Sequence, residues 1–106
     1  MTDTIRSLLM ELKAGLGSIY QDRLRGVYLY GSYARQEEDA ESDLDVLIVL
    51  DRIEHYAKEV NRTGDLVSQL SLRYGVSVSR VFVGHADWTA RGTAFLFNAC
   101  AEAVPL

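Results

Sequence analysis

The segment Leu44 to Leu50, reading Leu-Asp-Val-Leu-Ile-Val-Leu, sets the strongest limit on what this chain can fold into. A short, almost unbroken apolar run rich in β-branched residues predicts a strand buried on both faces. Such a strand needs neighbours on each side and helices above and below it. The exception within the run is Asp45, and Asp43 stands two residues before it. Side chains alternate along a strand, so both carboxylates are expected on one sheet face. Like charges placed beside a buried strand repel unless a cation sits between them. Oxygen ligands of this kind suit Mg2+, which takes one or two protein carboxylates and fills its shell with water and substrate phosphates.

The rest of the chain supplies the neighbours. Ile5, Leu8, Leu9, Leu12, Leu16 and Ile19 follow helical spacing, with Thr2, Asp3 and Thr4 available as caps. Gly15 and Gly17 weaken the second half, and a break is expected there. Val27 to Tyr30 reads as a strand that ends at Gly31-Ser32, and Tyr33 to Glu41 as a short helix or turn. A long helix is predicted from Ile53 to Tyr74, stopped by Gly75. Val76 to Val83 alternates as a third strand, and a last helix is expected from Asp87 towards Ala103, ended by Pro105.

The order α-β-(short α)-β-α-β-α predicts an α/β (α+β) fold, a small mixed sheet with flanking helices in a single domain over residues 1–106. Gly31-Ser32 closes the first strand and Asp43/Asp45 open the second. For both to meet one ligand across a short connection, those strands must run antiparallel. The long helix can then cross over and set the third strand parallel to the second.

Composition excludes several function classes. Hydrophobic residues make up 48% of the 106 and charged residues 25%, which argues against disorder. Eleven basic against fifteen acidic residues give a net charge of -4, wrong for a DNA duplex binder that must displace counterions from phosphates. Cys100 is the only cysteine, so no internal disulfide can form, and a cytoplasmic location is expected. No apolar run approaches the ~20 residues that cross a membrane, and the N-terminal stretch reads as an amphipathic helix, not a signal peptide.

Gly31-Ser32, where a strand gives way to a possible helix start, has the makings of an anion site. Glycine permits close backbone approach, and Ser32 adds a hydroxyl beside outward-facing N–H groups. A phosphate cradle facing two metal-binding carboxylates is an arrangement for metal-assisted phosphoryl or nucleotidyl transfer. Plainer readings stand beside this one. Gly31-Ser32 also suits a simple turn, and Arg35 has surface partners in Glu37, Glu38, Asp39 and Glu41. His55 and His85 show no metal-ligand spacing with each other or with Cys100. Trp88, Phe95 and Phe97 read as core or interface, and Tyr28, Tyr30 and Tyr33 as packing residues.

The pattern Gly-Ser, ten residues, Asp-x-Asp, filled by Gly31, Ser32, Asp43 and Asp45, resembles the signature of the DNA polymerase β-like nucleotidyltransferase superfamily. The form GSYAR…SDLDVLIVL is similar to the minimal nucleotidyltransferases, single domains of about this size. The likeness is detailed over Val27 to Leu50 and follows element order over most of the chain. It implies transfer of a nucleoside monophosphate from a nucleoside triphosphate. Gly31, Ser32 and Arg35 would hold the triphosphate, and Asp43 and Asp45 would bind two Mg2+ ions and carry catalysis. Many minimal members resemble antitoxins paired with HEPN-type RNase toxins, some of which they inactivate by adding AMP to a tyrosine. The resemblance therefore implies ATP as substrate, a HEPN-type toxin as partner, and a homo- or hetero-oligomer.

The chain departs from this pattern twice. Gln36 stands where a glycine commonly follows the arginine. The third strand offers Ser77 and Ser79 where the family places a third carboxylate, ligand and base for the nucleophile. Two readings follow: an impaired enzyme that only binds nucleotide or partner, or an acceptor that needs little help. A phenol, with a pKa near ~10, is such an acceptor. Transfer to small molecules such as aminoglycosides fits less well, because relatives doing so carry a further domain for the acceptor.

Overall fold

A computed structural model describes residues 2–106. Helix α1 (Asp3–Tyr20) is capped by Thr2, whose side chain accepts from the Ile5 N–H at 3.2 Å. The expected break at Gly15 and Gly17 is absent. A Cβ on Gly15 would lie 2.7 Å from a Leu66 methyl, so this glycine lets α2 (Tyr56–Tyr74) approach closely. Strand β1 (Leu24–Tyr30) follows a single 3-10 turn, and β2 (Leu44–Leu50) occupies the apolar run. Helix α2 starts three residues later than Ile53 and stops at Gly75, which takes φ 67° and returns its N–H to the Ser71 carbonyl.

Strand β3 is Val78–Gly84, two residues later in starting than the alternation predicted. The single last helix is instead two, α3 (His85–Ala90) and α4 (Ala94–Glu102). Arg91 turns left-handed at φ 53°, and the Thr93 side chain accepts from the Leu96 N–H, starting α4 anew. A two-residue strand, β4 (Val104–Pro105), follows. Pro105 lies on the sheet's edge, where its missing N–H is tolerated.

The strand order is β3-β2-β1-β4. Strands β1 and β2 are antiparallel, β2 and β3 parallel, and β4 antiparallel to β1, so the sheet is mixed as expected. Helices α1 and α2 cover one face, over Val27, Leu29, Leu44, Val46, Ile48, Leu50 and Phe82. Leu47, Val49 and Val83 point the other way, against Leu96 and Ala99 of α4 and Trp88 of α3. That second layer is the smaller, and Asp45 belongs to its face by alternation with Leu47 and Val49. Among the described residues, no helix is long and apolar enough to cross a membrane.

Candidate active site

The five residues singled out by sequence come together where β1 ends and β2 begins. Asp45 is the second residue of β2, opposite Tyr30 of β1 and beside Ser79 of β3. Asp43 lies one residue before the strand, not within it. Gly31 takes φ 76°, and a Cβ there would run into Asp45 Oδ2. Glycine is thus required twice: for the backbone conformation, and for the approach of the carboxylate. Ser32 begins a series of turns, not a helix. Its carbonyl accepts from the Glu37 N–H at 2.9 Å, and the Gly31 carbonyl accepts from the Arg35 N–H at 3.1 Å.

This turn ends at Gln36 with φ 58°, a left-handed residue at the position where the resemblance expects glycine. The departure therefore carries strain of about 1 kcal/mol. Tyr33 packs with the α1/α2 core, away from the Asp45 face, in line with its packing role. Phe95 and Phe97 are exposed, although the Phe95 ring meets Tyr30 edge-on at 5.8 Å between centroids.

Electrostatically the site is short of positive charge. Burial, then the neighbouring Asp43, push the Asp45 carboxyl above its ordinary range, with Arg35 pulling weakly the other way. Burial and then Asp45 likewise raise the Tyr30 phenol. Among the described residues no ion pair reaches Asp43 or Asp45. Arg35 is instead engaged by Glu37 at 3.0 Å and by Glu102 at 2.9 Å. Glu102, from the end of α4, also accepts the Gly31 N–H at 3.0 Å. Arg35 and that N–H hold its carboxyl below the usual carboxylate range.

A pair of uncompensated carboxylates against a glycine turn suits a divalent cation and a phosphate chain. Ser79 sits on the same face as Asp45, one strand over, where a third acid would complete the set.

The family described as polymerase beta, nucleotidyltransferase matches residues 18–93. A candidate protein adenylyltransferase of Methanocaldococcus jannaschii is 36% identical over 77 residues, 73% of this chain and 77% of that relative. A second from the same organism is 37% identical over 73 residues, 69% and 67% of the two chains. The chain belongs to the polymerase beta nucleotidyltransferase family. Its fold matches a minimal nucleotidyltransferase structure with a TM-score of 0.63 at 24% identity, over 99% of this chain and 97% of that one. It also matches a toxin–antitoxin crystal structure containing AMP-PNP, with a TM-score of 0.61 at 14% identity, over 98% and 72%.

Sequence reasoning on this nucleotidyltransferase missed Glu102. Strand β4 pairs Val104 with Leu29 and Pro105 with Tyr28, and the same register, two residues further, sets residue 102 opposite Gly31. A two-residue strand built around a proline leaves no periodicity to find. An acid at a helix end, far along the chain, reads only as surface.

Proposed function

We propose that this nucleotidyltransferase moves AMP from ATP to a protein hydroxyl, a tyrosine of a HEPN-type toxin, and thereby acts as the antitoxin of a cytoplasmic pair. The observation that carries the reading is Asp45 packed against Gly31 with Asp43 beside it, two carboxylates that no ion pair among the described residues reaches, next to a turn that bears N–H groups, a hydroxyl and Arg35. The names of the two M. jannaschii relatives support protein as acceptor. The toxin–antitoxin structures that share the fold support a toxin partner.

Asp43 and Asp45 would hold Mg2+. Their repulsion, and the raised carboxyl of Asp45, fit a cation at this place. The metal, when bound, neutralises charge that develops on the phosphates. The chain's own residues do the rest. The Gly31 N–H and the Ser32 hydroxyl bind triphosphate oxygens, and Arg35 offsets their charge. The contact between Gly31 and Asp45 holds the phosphate-binding turn next to the carboxylates. The acceptor oxygen bonds to the α-phosphorus in line. The bond to the bridging oxygen breaks, pyrophosphate leaves with the electron pair, and the phenolic proton passes to solvent. Ser79 beside Asp45 offers no carboxylate to take that proton, which favours an acidic acceptor such as a phenol over a sugar hydroxyl.

The same Ser79 supports a second reading, a binding-only antitoxin that masks its partner without transfer. Purified protein with Mg2+ and ATP labelled on the α-phosphate, added to lysate of its source cells, separates the two. A labelled protein band that Asp43→Asn lacks is the expected result. ATP binding without any labelled band overturns transfer and leaves masking.

A further inference from the structure

Glu102 holds two of the groups that the reading above gives to the triphosphate. Its Oε1 accepts from the Gly31 N–H at 3.0 Å and its Oε2 from Arg35 Nη1 at 2.9 Å. One carboxylate thus spans the turn as two phosphate oxygens would. Its placement is built in. The Ala103 N–H bonds to the Ala99 carbonyl at 2.8 Å, and the Leu106 N–H to the Val27 carbonyl at 2.9 Å. Val104 and Pro105 pair with Leu29 and Tyr28 between them. The backbone that carries Glu102 is therefore tied down, and the side chain is the part free to turn.

The single Gly31 N–H cannot serve a phosphate oxygen and the Glu102 carboxylate together at full strength, and two anions drawn to one turn repel each other. We propose that Glu102 is an affinity-setting residue, an internal anion that occupies the donors of the triphosphate and that nucleotide must displace. The inference rests on the nucleotide-binding reading of Gly31 and Arg35. It differs from a role for Glu102 as the missing third metal ligand. Both of its oxygens are already engaged by donors, and among the described residues no group of three or more acidic, histidine or cysteine side chains is placed to hold a metal ion. Displacement lowers the apparent affinity by the fraction of molecules in which the turn is open. For an ion pair as solvent-exposed as Arg35–Glu102, with side chains 45% and 27% accessible, that is about two- to fivefold.

The test is titration of wild type, Glu102→Gln and Glu102→Ala with a fluorescent non-hydrolysable ATP analogue in Mg2+. Glu37→Gln is the control for merely freeing Arg35 of a surface partner. Both Glu102 variants are expected to bind about two- to fivefold more tightly, with KM for ATP falling in step and kcat unchanged. The control stays near wild type. Glutamine keeps the size of the side chain, so a folding fault in the alanine variant does not decide the result. Equal or weaker binding by Glu102→Gln, with wild type binding normally, overturns the displacement. So does a loss of kcat at unchanged affinity, which would give Glu102 a part in the chemistry. If no form binds the analogue, the nucleotide reading itself falls and the displacement with it.

Discussion

The two ends of β2 handle negative charge in opposite ways. Beyond Leu50, Asp51 meets Arg23 Nε at 3.1 Å and the Arg52 N–H at 2.7 Å. Behind it Glu59, only 4% exposed, takes Tyr20 Oη at 3.0 Å, Arg23 Nη2 at 3.2 Å and Arg62 Nε at 3.5 Å. Asp51 and Glu59 both have donors, and the Tyr20 phenol, buried and bonded to Glu59, is pushed far above its ordinary range. At the Leu44 end the reverse holds: among the described residues Asp43 and Asp45 have no ion pair, and the nearby Arg35 pairs with Glu37 and Glu102. Compensated charge is architecture, and uncompensated charge at a sheet's mouth is an invitation to a cation. The strand is the same; only the partners differ.

That contrast can be broken at either end. Asp45→Asn or Asp43→Asn is expected to lower AMP transfer by about 10³-fold or more while circular dichroism shows a folded chain. Transfer at wild-type rates would remove the distinction. At the other end, Glu59→Ala leaves Arg23 and Tyr20 without their buried partner and should cost about 2–3 kcal/mol in urea unfolding. Its transfer rate per folded molecule should not change. If instead activity falls and stability holds, the two ends have been assigned the wrong way round.

Gly31→Ala joins the two kinds of effect. The left-handed backbone and the contact with Asp45 predict about 1–2 kcal/mol of destabilisation together with weaker binding of ATP. A smaller effect concerns pH. The folded chain binds the Asp45 proton more tightly than the unfolded chain, whose value is 3.8. Stability without metal should therefore fall as pH rises through the range just above that value. Asp45→Asn should abolish this fall and leave the metal-free chain slightly more stable at neutral pH, the effect being small because solvent screens a half-exposed carboxylate. Mg2+ should narrow the gap by stabilising wild type alone. Thermal melts at several pH values, with and without Mg2+, would show it. Last, Gln36→Gly should relieve the left-handed strain and change stability by less than about 1 kcal/mol, towards greater stability. A clear loss in urea unfolding would mean that Gln36 makes contacts worth more than the strain.

What the sequence revealed of the fold followed the range of the interactions involved. Leu44–Leu50 declared itself because a doubly buried strand must be apolar throughout, and Asp45 stood out against it. Gly31 and Ser32 were legible as the close of β1 because they follow a short β-branched and aromatic run. The helix stop at Gly75 was legible because only its own φ was at issue. Gly15 was misread as a weak point, since its reason lies in Leu66 of another helix. The break between α3 and α4 was missed because Arg91, not a glycine, takes the left-handed turn. Glu59 and Glu102 were missed for one reason: each acid matters through partners from distant elements, and a sequence window holds only neighbours.

Strand β4 also fixes an order of events in folding. The hydrogen bond from Gly31 to Glu102 closes a span of 71 residues, whereas β1 and β2 join across one loop. Closing long spans early is entropically unfavourable, so local pairings form first and distant ones follow. During synthesis the segment bearing Glu102 also leaves the ribosome after every other element of the site. The Gly31–Arg35 turn is therefore expected to form before the acid that accepts from its Gly31 N–H and its arginine reaches it from the far end of the described chain.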